Sequence, residues 1–269
     1  MLSESGRVQQ IDKKFEVDVL DGNFANQLFV RLVAKDKRFT KVDFKYSIFD
    51  TSYLRNCKFD SCDFTGCRFI ATNLHGSTFS GCKFDYSTFE RTLVESDILD
   101  TECPGHENLK WWFARTLRMN YQQLGDATSA NKAIGVELQA SKLHKWKAWH
   151  SNESYYRKKY AGAKRVRAFV DWISFTILDF IWGNGESALK LLRAIVITLV
   201  AMSLIDVLAF RDRQRLDSYV QAFGDAPRIF LGTLSPSHYS DTYLTAILFA
   251  RLIALGFLLS IIIKRLNRR

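Results

Sequence analysis

The sequence lacks the residue arrangements that most chemistry requires. Its five cysteines include no C-x-x-C, and its five histidines (His75, His106, His144, His150 and His238) stand apart, so zinc-ligand spacings are missing. There is no glycine-rich phosphate loop, no H-E-x-x-H and no nucleophile elbow, and no spacing of acids marks a catalytic pair. These absences point away from an enzyme, a bound metal or a cofactor. The first twenty residues are charged and lack an apolar core, so no secretory signal is expected. Nothing in the cysteine spacing calls for an oxidising compartment.

What the chain does have is a period of five. An apolar residue recurs without a gap at Phe39, Phe44, Phe49, Leu54, Phe59, Phe64, Phe69, Leu74, Phe79, Phe84, Phe89, Val94 and Leu99. Neither helix nor strand has that period, so it marks a repeat architecture. Two residues before most of these sits a small side chain, among them Ser47, Ser52, Cys57, Cys62, Cys67, Thr72, Ser77 and Cys82. A second period of twenty is superposed: Leu54, Leu74 and Val94 are aliphatic, whereas Phe44/Phe64/Phe84 and Phe49/Phe69/Phe89 are aromatic columns. Four five-residue sides per coil, stacked at about 4.8 Å, would fill the interior with phenylalanine ladders. The cysteines then occupy small inward positions, where a free thiol packs as an apolar group. Cys103, just past the last repeat, carries no signal.

These residues resemble the pentapeptide-repeat family, which implies a right-handed quadrilateral β-helix over residues 37–101. Phe24 and Phe29 keep the phase but their flanks do not match, so residues 1–36 are expected to form an N-terminal cap or a helix over the first coil. Some family members are acidic mimics of DNA. Here the repeats carry nine basic and nine acidic residues, which argues against that role.

Residues 104–168 read as a basic helical hairpin and linker. Asn108 is the expected cap of a helix from Leu109 to about Leu124, with Trp112, Ala114, Leu117, Tyr121 and Leu124 on one face. Gly125–Asp126 is a turn, and a second helix runs from Ala127 to His150. Between Pro104 and Val170 thirteen Lys/Arg face four acids. Lys142, Lys145, Arg157, Lys158, Lys159, Lys164, Arg165 and Arg167 are candidates for contact with anionic lipid, or with an anionic nucleotide or oligonucleotide on which neighbouring Trp and Tyr rings could stack.

Two stretches are long enough to span a bilayer, Leu191–Phe210 and Tyr243–Ile263. Lys190 and Arg193 precede the first, and Lys264, Arg265, Arg268 and Arg269 end the second. The positive-inside rule therefore places both termini in the cytoplasm. Residues 169–182 are apolar but short and read as an interfacial helix, or alternatively as a buried helix of the cytoplasmic domain. Asp206 and Arg251 fall inside the spans. An Asp206–Arg251 pair is one reading, and Arg251 lining a pore that disfavours cations is the other. Ala246, Ala250 and Ala254, with Gly256 and Ser260, form small-residue stripes suited to close helix contact.

A span, a half-apolar loop and a second span resemble the two-transmembrane potassium-channel family, with Thr233, Tyr239 and Asp241 set against its T-x-G-Y-G-D. Both filter glycines are missing, and Leu234–His238 includes Ser235, Pro236 and Ser237, so no potassium selectivity is expected. The whole chain resembles proteins that join pentapeptide repeats to an ion-channel domain. The expected fold is mixed: β-helix, hairpin linker, interfacial helix 169–182, and a two-transmembrane pore-like domain at 188–269 with a re-entrant loop at 211–242. The pore and intramembrane candidates are Asp206, Thr233, Ser235, Ser237, His238, Tyr239, Asp241 and Arg251. The expected function is a ligand-gated homo-oligomeric channel, a tetramer in the bacterial inner membrane, acting as a stress or phage-defence effector. Its partners would be membrane lipids, copies of itself, an anionic ligand or a cytoplasmic protein. The alternative is a membrane-anchored scaffold that binds a protein partner without conducting ions.

Overall fold

The structure, a computed structural model, describes residues 6–267. Two compact units divide between Ala168 and Phe169.

The first unit begins with a solenoid of about four turns. Its strands are β1 (Val8–Ile11), β2 (Val19–Leu20), β3 (Gln27–Val30), β4 (Val33–Lys35), β5 (Arg38–Thr40), β6 (Ile48–Asp50), β7 (Tyr53–Arg55), β8 (Lys58–Asp60), β9 (Arg68–Ile70), β10 (Thr78–Ser80) and β11 (Thr88–Glu90). They form three parallel sheets, in the orders β1-β3-β6-β9-β11, β2-β5-β8-β10 and β4-β7. Single bridges Asn23↔Asp43↔Asp63↔Lys83 make the fourth side. The chain turns each corner at a residue of positive φ, every fifth position from Asn26 to Arg91. Like stacks on like: Phe49 and Phe69 lie 5.0 Å apart with planes at 5°, and Phe44 and Phe64 5.2 Å apart at 6°.

The small inward residues do more than fill space. Ser47, Cys57, Cys62, Cys67, Thr72, Ser77 and Cys82 each donate to the carbonyl twenty-three residues earlier, in the preceding coil. Serine, threonine and cysteine are interchangeable there because each offers a short side chain with one hydrogen to give.

Residues 1–36 are not a cap or a covering helix over the part described. Strand structure starts at Val8, and Phe29 stacks on Phe49 at 5.1 Å. The first coil is one residue short: Val8 pairs with Gln27 and Lys14 with Val33, nineteen apart, whereas Val19 pairs with Phe39, twenty apart. That slip conceals the coil from a period-of-five reading. At the other end the last expected side is instead a helical turn, α1 (Ile98–Thr101), whose Leu99 stays in the core.

The solenoid's open edge is closed by side chains. In the interior, Gln27, Leu32, Cys57 and Thr72 donate their N–H groups to a hydroxyl twenty residues on. In the last coil no such hydroxyl follows. Cys82 N–H donates to Glu102 (2.6 Å), Phe89 N–H to Thr116 (3.0 Å) and Thr92 N–H to Asn120 Oδ1 (2.7 Å). Asn120 Nδ2 donates back to the Thr92 carbonyl at 2.8 Å. Thr116 and Asn120 lie on α2 (Glu107–Gln123), whose Phe113 also continues the aromatic core against Phe84 at 5.6 Å.

α2 starts at Glu107 with His106 as N-cap, so Asn108 does not cap it; Trp112 and Leu124 are exposed, and Phe113 takes the core position instead. α3 (Ala127–His150) is capped by Asp126, which accepts from Ser129 N–H at 3.0 Å. Arg118 and Glu137, 2.7 Å apart, join the two helices. α4 (Ser154–Lys159) follows.

α5 (Ala163–Trp182) begins six residues earlier than the expected 169–182, and of its residues only Ala168 is buried, which overturns the buried-helix alternative within this chain. After a tight turn at Gly183–Gly185 come α6 (Ala188–Phe210), α7 (Leu216–Leu231) and α8 (Asp241–Asn267). The segment expected as a re-entrant loop is half helix. α6 and α8 contain apolar stretches of 23 and 24 residues, long enough to cross a membrane, and of an apolar eighteen-residue window in each only 28% and 11% is buried within the chain. Met202, Ile229, Phe230, Tyr239 and Ile247 form the small core between α6, α7 and α8. Ala250 and Ala254 pack against that core, while Ala246 and Gly256 remain exposed. The side chain of Arg265, and Arg268 and Arg269, lie outside the described residues.

Candidate functional site

An acid stands at the centre of the second unit's charged cluster. Asp206, near the end of α6, is 2% exposed. Arg211 follows α6 directly and its guanidinium reaches back, placing Nε 2.7 Å from Asp206 Oδ2 and Nη2 2.8 Å from Asp225 Oδ2 on α7. His238 Nε2 lies 3.5 Å from Asp206 Oδ1. Tyr239 is buried beside them, its ring 5.0 Å from that of Phe210. Burial, and then the Asp206 carboxylate, push the Tyr239 phenol above its usual range.

The expected Asp206–Arg251 pair does not form, because Arg211 takes the carboxylate. Arg251 instead lays its guanidinium against Gly232, where α7 ends at φ +81°; a Cβ on Gly232 would collide with Nη1. The Arg228 carbonyl on the last turn of α7 already accepts from Thr233 N–H (2.9 Å) and Thr233 Oγ1 (3.0 Å). A cation at that place meets the partial negative charge at a helix C-terminus. No carboxylate partners Arg251 among the described residues.

The structure thus divides the expected pore residues into three sets. Asp206, His238 and Tyr239 come together. Thr233 and Arg251 meet at the end of α7. Ser235 and Ser237 are exposed, and Asp241 is an exposed first residue of α8, so none of these three joins either group.

Sequence reasoning missed a second cluster at the opposite ends of α6 and α8. Trp182 stacks on Phe257, centroids 4.1 Å apart and planes at 15°. Lys264 lies 3.3 Å from Glu186 and donates to the Gly185 carbonyl at 3.4 Å. Lys190 and Asp179 are 2.6 Å apart, and Arg193 donates to the Phe180 carbonyl at 2.6 Å. The end of α5 is therefore tied to both long apolar helices. The only signal for this was the reversal of charge along 179–193.

The basic segment of the first unit is partly committed. Arg157 donates to the Ala148 carbonyl (2.9 Å) and Arg165 to the Trp149 carbonyl (2.7 Å), so both finish the C-terminus of α3 and are not free to hold a ligand with those groups. Lys142, Lys158, Lys164 and Arg167 are exposed, and Lys145 is half-buried. Lys159 donates to Tyr155 at 3.0 Å. His144 lies between two phenols, 3.1 Å from Tyr156 and 3.3 Å from Tyr160. Burial, then Lys159 and Lys145, lower its pKa to about 4, so its imidazole is neutral near pH 7.

The comparisons concern the solenoid. The family model for pentapeptide repeats matches residues 38–76 and 47–85, in eight copies. Among curated proteins none matches. Similar solved structures include a pentapeptide repeat protein, Rfr23, of the cyanobacterium Cyanothece 51142 (9% identity, TM-score 0.31, 32% of this chain and 60% of that one). Another is a pentapeptide repeat protein of the Arabidopsis thaliana thylakoid lumen (14%, TM-score 0.20, 37% and 75%). A third is QnrB1, a plasmid-mediated fluoroquinolone resistance protein (17%, TM-score 0.16, 32% and 52%). The chain spans 60% of the length of the first of these. With the repeat model matched to coils whose four sides and stacked phenylalanines are observed, residues 38–85 are pentapeptide repeats, and the solenoid they build is followed by a helical region with two long apolar helices.

Proposed function

We propose that this chain is a membrane protein whose copies enclose a pore, with the solenoid and basic hairpin as its cytoplasmic sensing part. The observation that carries the reading is the pairing of two long apolar helices, mostly unburied within the chain, with a short helix that ends on Arg251. An anchor needs neither α7 nor an arginine at its end. Lipid and neighbouring copies would cover α6 and α8. The basic flanks support cytoplasmic termini. α5, tied by Asp179 to the start of α6 and by Trp182 to the middle of α8, is the element through which the cytoplasmic part would bias the pore.

Arg251 offsets the negative end of α7, which would otherwise attract cations. The pore is therefore expected not to prefer cations, and to lack potassium selectivity. A tetramer in a bacterial inner membrane is the assembly we favour, and opening it would depolarise the cell, as a stress or phage-defence effector would.

Purified full-length protein in liposomes should pass ions in at least one ligand state, and Arg251→Ala should shift the reversal potential towards cation permeability. Absence of flux in every state, or a monomer in detergent, would leave the scaffold reading in its place.

A further inference from the structure

Two exposed apolar stripes of the second unit meet at one arginine. On α5, Val170, Ile173, Ile177 and Phe180 follow one another at steps of three and four residues, so they share a face, and all four are exposed. On α6, Leu189 stands four residues before Arg193, and Val196, Ile197 and Val200 stand three, four and seven after it. That spacing puts them on the face of Arg193, and they are exposed too, Leu189 by 79%. The tight turn at Gly183–Gly185 lies between the two helices.

Arg193 is exposed, yet it is held in place. Its Nη2 donates to the Phe180 carbonyl at 2.6 Å, and its guanidinium lies 4.4 Å from the centroid of the Phe180 ring. A guanidinium carries five N–H donors, so a bond to one carbonyl leaves an edge of the fork for another acceptor. The acids of this stretch are taken by lysines: Asp179 lies 2.6 Å from Lys190, and Glu186 3.3 Å from Lys264. No carboxylate partners Arg193 among the described residues.

A fixed, uncompensated cation set in apolar surface selects a molecule with the matching pattern. Water satisfies the guanidinium and leaves the stripes uncovered; hydrocarbon covers the stripes and leaves the guanidinium without an acceptor. An anionic oxygen group that carries apolar chains does both. We propose that the turn between α5 and α6 binds an anionic phospholipid, with its phosphate on Arg193 and its acyl chains along Val196, Ile197 and Val200. The phosphate oxygens accept from the free edge of the guanidinium, and Phe180 brings the α5 stripe to the same headgroup. One lipid then touches both arms of the turn and fixes the angle at which α5 meets α6. The site rests on the reading of this chain as a membrane protein, proposed above, and not on its being a pore.

Native mass spectrometry of the full chain, stripped of lipid in detergent, tests it with phosphatidylglycerol, phosphatidylcholine and glycerol phosphate. Phosphatidylglycerol should bind at least fivefold tighter than phosphatidylcholine, and glycerol phosphate, which lacks the chains, at least tenfold weaker than phosphatidylglycerol. Arg193→Ala should bring the two lipids within twofold of each other, and Arg193→Lys should keep part of the preference. Leu189→Glu needs no repacking and sets a carboxylate one turn before Arg193, so it should abolish the preference with the fold intact. Equal binding of the two lipids overturns the proposal, as does a preference that survives both Arg193→Ala and Leu189→Glu, or glycerol phosphate binding as tightly as phosphatidylglycerol. Flotation and flux assays on liposomes separate the readings. A chain that floats with the liposomes but shows no lipid preference loses this site and remains a membrane protein. A chain that does not float loses both, and the expected preference without ion flux sinks the pore and leaves this site standing.

Discussion

The indole of Trp182, the last residue of α5, lies flat on the ring of Phe257, midway along α8. Its Nε1 is buried without a hydrogen-bond partner, so packing and not polar contact holds it there. Trp182→Ala is expected to destabilise the second unit by about 2–4 kcal/mol, below the fully buried range because the indole is half-buried. Trp182→Phe removes the unpaired N–H and keeps the stack, so it should stay close to wild type. Thermal unfolding in detergent reads both. In liposomes, Trp182→Ala should also change basal leak, whereas a purely structural contact would change stability alone.

Asp206 is buried with Arg211 as its closest partner, and breaking one side of such a pair costs about 3–5 kcal/mol. Asp206→Asn should fall at the lower end of that range, since Arg211 keeps Asp225 at 2.8 Å. The double variant Asp206→Asn/Arg211→Gln should be less damaging than the sum of the two single changes. Strict additivity in the melting curves would mean that the pair carries no coupling.

Asn120 takes the place of a missing coil. Asn120→Ala leaves the Thr92 N–H and carbonyl buried and unpaired, at roughly 1–3 kcal/mol for each such group. Loss of hydrogen-exchange protection at the Thr92 amide, ahead of the inner coils, is the specific sign to measure. Unchanged protection would show that water or another side chain replaces the cap.

That cap also shows where sequence reading stopped. The repeats were legible because stacking places like residues at a fixed spacing, and thirteen in-phase positions leave little room for another fold. The end of the stack has no period. Thr116 and Asn120 are polar residues on the buried face of α2, four apart, and that intrusion into an apolar stripe was the available signal. The first coil was lost for the opposite reason: its geometry is regular, but one missing residue broke the phase. In the second unit the lengths of the apolar helices were readable, but partners were not. Asp206 and Arg251 sit at depths that suit a pair, and only the backward reach of Arg211 and the end of α7 separate them.

The four buried solenoid cysteines should be chemically inert. Burial pushes the Cys67 thiol above its usual range, and its hydrogen goes to the Phe44 carbonyl at 2.8 Å. Ser47 and Ser77 make the same bond at equivalent positions, so Cys67→Ser should cost less than about 1.5 kcal/mol, as shape-conserving core changes do. Alkylation of the folded protein should label the partly exposed Cys103 first. Rapid labelling of Cys67 would show that the coils open far more readily than their packing implies.

Stability of the first unit should fall on mild acidification because of His144. Its pKa is about 4 in the folded chain against 6.5 for an ordinary histidine, lowered by burial and then by Lys159 and Lys145. Between those two values the unfolded chain holds the extra proton and the folded chain does not. The contribution is therefore fully present above about pH 6.5 and is lost as pH falls towards 4, by up to about tenfold in the folding constant per pH unit. Asp126, held below its usual value by its bonds to Ser129, weakens the fold only at still lower pH. His144→Gln should start from lower stability at pH 7.5 and flatten the slope between pH 6.5 and 4.5. A slope that survives the substitution would assign the acid sensitivity to another group.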